Sequence, residues 1–90
     1  MNIKHIKTIQ NYYGSEVEYL KTLEELDELK DEVLKILDDK ASKNNLIGEI
    51  SDVIVCIIHL VTFQNISLKD VDRMIDYKLE REVKRIENNK

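Results

Sequence analysis

The chain has 90 residues, 36% of them charged and 42% hydrophobic, with no proline, two glycines and a net charge of -4. That length allows one small domain, 1–90, which removes only roughly two-thirds of its unfolded surface from water, so help from a second subunit is expected. The composition excludes a strand-and-turn architecture in favour of an all-α fold, and the acidic balance excludes a general nucleic-acid binder.

Ile3, Ile6 and Ile9 predict a short first helix that stops at Gly14, a residue suited to the left-handed conformation at a helix end. Ser15 and Glu18 have the spacing of a capping box. From there Val17, Leu20, Leu23, Leu26, Leu29, Val33, Ile36 and Leu37 recur at helical spacing, predicting a second helix over about 16–38. The polar residues 40–45 form the connection, with Ser42 or Asn45 as N-cap.

A third helix follows to about Gln64. Its stretch 46–63 is the most apolar in the chain, yet it contains Glu49 and Asp52. A helix apolar almost all round is normally covered on every side, which predicts a homodimer or homotetramer built on this element. Its longest uncharged run, 53–63, is too short to span a bilayer, and no signal-peptide pattern precedes it. The single cysteine, Cys56, has no disulfide partner within the chain. A soluble, cytoplasmic protein is expected. Ser67 and Asp70 then open a fourth helix with Val71, Met74, Ile75, Leu79, Val83 and Ile86 on its apolar side and a polar end at 88–90. The expected architecture is therefore a four-helix chain whose bundle is completed by homo-oligomerisation.

The chemistry concentrates in two acid pairs. Glu25 and Glu28 are three residues apart on the second helix, and Glu49 and Asp52 repeat that spacing on the third. Glu32 continues the acidic stripe of the former pair, and Cys56, His59 and Phe63 continue the stripe of the latter. If the two helices form an antiparallel hairpin with Ser42 as cap, Glu28 and Asp52 each lie about 15 Å from the connection, so the pairs meet at one height. Four converging carboxylates call for a hard cation, Mg²⁺ or Mn²⁺. A di-iron bundle is excluded because neither His5 nor His59 follows a Glu by three residues.

The same residues carry a resemblance. Glu25-Leu26-Asp27-Glu28, twenty intervening residues, then Glu49-Ile50-Ser51-Asp52 resembles the mark of the all-α nucleoside triphosphate pyrophosphohydrolases, the MazG-like group. Leu23-Glu24-Glu25, Asp52-Val53 and Asn11-Tyr12-Tyr13-Gly14 look like its short, phage-type members. Asp76-Tyr77-Lys78-Leu79-Glu80-Arg81 resembles the family's Asn-x-Lys-Phe-x-x-Arg element, departing from it at Asp76 and Leu79.

The resemblance implies cleavage of a nucleoside triphosphate substrate between its α and β phosphates, with Mg held by Glu25, Glu28, Glu49 and Asp52. It also implies that Lys78 and Arg81 meet the phosphates. Glu25 or Glu24 is the candidate general base, and His59 and Tyr13 are candidate contacts to base or sugar. The alternatives are a non-catalytic helical interaction module that kept the fold, and a metal or nucleotide sensor. Glu49 and Asp52, set in the most apolar helix, favour the enzyme, because a scaffold has little reason to hold them there.

Overall fold

The computed structural model describes residues 1–89 and is all-helical, with α1 over Ile3–Leu37, α2 over Lys43–Phe63 and α3 over Leu68–Asn88. Three helical spans stand where four are expected, because α1 runs through Gly14. Gly14, at φ 79 and ψ 173, is non-helical, so two helical segments meet across a kink at the residue where the first helix is predicted to stop. No L side chain adopts that backbone conformation readily, although a Cβ at Gly14 would touch nothing within 4 Å. Gly14→Ala is therefore expected to destabilise the protein by about 1–3 kcal/mol through backbone strain alone, measurable as a lowered denaturation midpoint with an unchanged m-value.

The other element ends follow the local chemistry. The Asn2, Ser42 and Ser67 side chains accept from the backbone N–H groups of His5, Asn45 and Lys69, capping the three helices. Asp39 and Asn65 take positive φ just after α1 and α2. A helical segment resumes after Gly14, but the Ser15–Glu18 pair shows no capping hydrogen bond among the described residues. Glu18 instead turns inward, 3% exposed. Of the polar end expected at 88–90, Lys90 lies outside the described residues.

α1 and α2 pack as a hairpin, and α3 stands apart, with none of its residues buried. The hairpin seam is mostly polar: Gln10, Glu18, Thr22, Glu25 and Glu32 of α1 face Val53, Cys56 and His59 of α2. The apolar stripe of α1, including Leu20, Leu23, Leu26 and Val33, is exposed. So is a ridge on α2, where Ile47, Ile50, Ile54 and Ile57 recur at the alternating three- and four-residue spacing of a coiled-coil seam. One chain thus leaves part of α2 uncovered, as its apolar surface predicts, because α1 presents its acidic side to α2.

The chain is correspondingly extended. Its radius of gyration is 16.4 Å, whereas about 12 Å describes a compact domain of this length. It exposes 7654 Å², against about 5,500 Å² for a folded monomer of its mass. By length and composition alone α2, at 21 residues, is long and apolar enough to cross a bilayer, although its uncharged run 53–63 is not.

Candidate metal centre

Helical spacing puts Glu25 above Glu28 on α1 and Glu49 above Asp52 on α2, and the capped 38–42 connection sets the two pairs level. One carboxylate oxygen from each of the four lies within 4.8 Å of all the others. Glu25 is buried, Glu49 half-buried, and Glu28 and Asp52 exposed, so the group has a closed side and an open side. Oε2 of Glu25 and Oε2 of Glu49 are buried with no hydrogen-bond partner.

The electrostatics register this crowding. Burial, a hydrogen bond with Glu28 that favours the protonated carboxyl, and repulsion from Glu28, Asp52 and Glu49 push the Glu25 carboxyl up to about 7. Glu49 is raised as well, by burial first and then by Glu28, Asp52 and Glu32. Such a site holds protons or a cation. Two orphaned oxygens in an all-carboxylate set fit a hard divalent ion.

Glu32 extends the column one turn toward the connection. It is 7% exposed; Oε1 accepts from Lys35 Nζ at 2.9 Å, while Oε2 has no partner. That hydrogen bond and the charge of Glu32 raise the Lys35 ammonium above its usual range. The acidic stripe read from the sequence included Glu32 but left it out of the site; its place four residues after Glu28 was the available signal.

The remaining candidates lie elsewhere. Glu24 is exposed and outside the four-carboxylate group. His59 is 2% exposed, its Nδ1 2.9 Å from Gln10 Nε2 and its Nε2 3.7 Å from Glu18 Oε2, so both ring nitrogens face protein groups. With the Gln10 amide donating to Nδ1, the ring proton sits on Nε2, toward the carboxylate. Gln10 and Glu18 give no motif at their spacing, and the sequence reading missed both.

Buried Cys56 lies along α2 between His59 and the carboxylate pair; burial pushes its thiol up, which suits packing rather than nucleophilic attack. Tyr13 is exposed and packs edge-on against Tyr12, with ring centroids 4.8 Å apart. Lys78 and Arg81 are exposed on α3, the guanidinium carbon of Arg81 lying 5.8 Å from the Tyr77 ring centre. α3 makes only marginal contact with the hairpin, and neither cation is among the charges acting on Glu25 or Glu49.

Compared with protein-family models, curated proteins and solved structures, the chain has no match.

Proposed function

We propose that the protein is a metal-dependent nucleoside triphosphate pyrophosphohydrolase that works as a homo-oligomer. The observation that carries this reading is the four-carboxylate group, with ligand atoms within 4.8 Å and buried oxygens on Glu25 and Glu49 left without protein partners. Glu25, Glu28, Glu49 and Asp52 would hold Mg²⁺, or Mn²⁺ in its place. The ion supplies Lewis acidity toward a phosphoryl group and lowers the pKa of an attacking water.

The chain's own groups have separable parts in this reaction. Glu28 and Asp52, on the open side, face the substrate. Glu25, or its neighbour Glu24, would take the proton of the attacking water. Lys78 and Arg81 suit a phosphate chain, Arg81 by a bidentate contact. The resemblance of these residues to the pyrophosphohydrolases narrows the reaction to release of pyrophosphate. The test is pyrophosphate release from a panel of ribo- and deoxyribonucleoside triphosphates with Mg²⁺. Release that stops in EDTA is expected, and no release from any substrate sinks the reading.

Oligomerisation is supported by the excess surface of roughly 2,000 Å² per chain, an amount typical of obligate interfaces, and by the isoleucine ridge of α2. The same apolar faces favour the second reading, a helical interaction module without catalysis. A bilayer is a poorer cover, since each ionised carboxylate of α2 at membrane depth costs about 3 kcal/mol. Replacing Ile54, at the middle of the ridge, by Glu is expected to leave monomers in sedimentation or light scattering. An unchanged oligomer would put the interface elsewhere.

A further inference from the structure

We infer that the buried Gln10–His59–Glu18 cluster pins the register of the hairpin, and that His59 and Glu18 are positioning residues for the metal centre. This rests on the reading of the four carboxylates as a metal site and specifies what holds them level. None of the three groups has a part in the proposed chemistry, yet all three are buried.

Register links the two places. α1 and α2 pack as a hairpin, so equal counts of residues from a facing pair toward the connection arrive at equal heights. Glu18 faces His59, with Oε2 3.7 Å from Nε2. Seven residues onward along α1 stands Glu25, and seven residues back along α2 stands Asp52, each roughly 10 Å from the first pair. Three more residues in each direction reach Glu28 and Glu49. Thr22 and Cys56, which share a side-chain hydrogen bond, lie between. A slip of α2 at His59 is therefore the same slip at the carboxylates, about 1.5 Å for each residue.

The rest of the seam does little to set that register. Four carboxylates with ligand atoms within 4.8 Å of one another repel. The buried apolar side chains are Val53, Cys56 and Val61, and apolar burial is non-directional. Gln64 Nε2 donates across the seam to Tyr19 at 2.6 Å, but that bond is exposed, and water competes for it. The His59 contacts are both directional and buried. The Gln10 amide donates to Nδ1 at 2.9 Å, which leaves the ring proton on Nε2, toward Glu18. Gln10 lies before the Gly14 kink and Glu18 after it, so one imidazole ties both segments of α1 to α2. The repelling carboxylates are thus held between two fixed points, this cluster and the short 38–42 connection.

Glu18→Leu tests the assignment, because it removes the tie without leaving an unpaired buried charge. The variant is expected to fold with an unchanged or raised thermal midpoint. Its Mn²⁺ affinity, read from the free-ion signal in electron paramagnetic resonance, is expected to drop about tenfold or more, the scale of losing a support behind a metal ligand. Glu18→Gln, which still accepts from the ring N–H, is expected to restore the affinity. A cluster with a structural role alone shifts the midpoint and leaves the affinity of the folded chain unmoved, and that result overturns the inference. Should Glu18→Leu not fold, Gln10→Leu, which removes the bond that orients the ring, is read the same way.

Should the wild type bind no Mn²⁺, the metal reading fails and the register is still measured directly. In the metal-free protein, a nuclear Overhauser contact between Thr22 and Cys56 reports the height one turn from Glu25. Its presence in the wild type and in Glu18→Gln, with its loss in Glu18→Leu, supports the pin. Its survival in Glu18→Leu, or its absence from the wild type, overturns it.

Discussion

Glu49→Gln is expected to lower pyrophosphate release by about 10²–10³-fold, the scale of losing one preorganised electrostatic group in a catalytic site. The same substitution is expected to raise the thermal midpoint of the metal-free protein. Both outcomes have one cause. Without an ion, Glu49 keeps a buried, unpartnered oxygen beside three other carboxylates, and its raised carboxyl records the strain of ionising there. An amide of nearly the same shape removes that charge, relieving burial and repulsion together. It also removes a charged ligand from the divalent site, so Mg²⁺ should stabilise the variant less than the wild type. A structural carboxylate behaves differently: its loss lowers stability and leaves turnover alone. Full activity with a lowered midpoint would remove Glu49 from the site.

The convergence of the carboxylates was legible because it depends on two simple quantities. Glu25 and Glu28 share a helix side, as do Glu49 and Asp52, and a short connection capped at Ser42 brings the pairs level. Spacing and rise per residue suffice for that once the two helices are taken as an antiparallel hairpin. The apolar stripes were harder to interpret. Periodicity groups Leu20, Leu23 and Val33 with their neighbours, but it does not say whether that face meets another part of the same chain. Here it does not, for the hairpin closes through its acidic side.

Gly14 shows a similar limit. Its local freedom permits either a stop or a bend, and here the helical path breaks at Gly14 and resumes at once, so the two predicted helices meet at a kink within α1. The buried Gln10–His59–Glu18 contacts were less legible still. They join His59 to residues 49 and 41 positions before it through polar groups that follow no motif. The capping-box spacing of Ser15 and Glu18 was misleading because Glu18 has a stronger tertiary use against His59.

In EDTA, the thermal midpoint is expected to fall by several degrees as pH rises from 5 to 8, and Mg²⁺ is expected to suppress or reverse that fall. Glu25 has an ordinary carboxyl value of 4.5 and a folded value of about 7. Between those values the folded chain binds the proton more tightly than the unfolded chain. Stability therefore decreases as pH rises through this window and levels off above the folded value. Glu49, raised by the same neighbours, acts in the same direction. A divalent ion requires ionised ligands, so it gains affinity as these groups lose their protons, and its stabilisation is greater at pH 8 than at pH 5.

The two slopes thus have opposite sign and a common origin. Circular-dichroism melts at pH 5, 6, 7 and 8, with EDTA and with Mg²⁺, separate them. Glu25→Gln supplies the control, since a side chain that cannot ionise should flatten much of the metal-free slope. A midpoint in EDTA that instead climbs from pH 5 to 8, with the variant following the wild type, would mean that Glu25 is ionised without cost and that the four carboxylates do not share one electrostatic site.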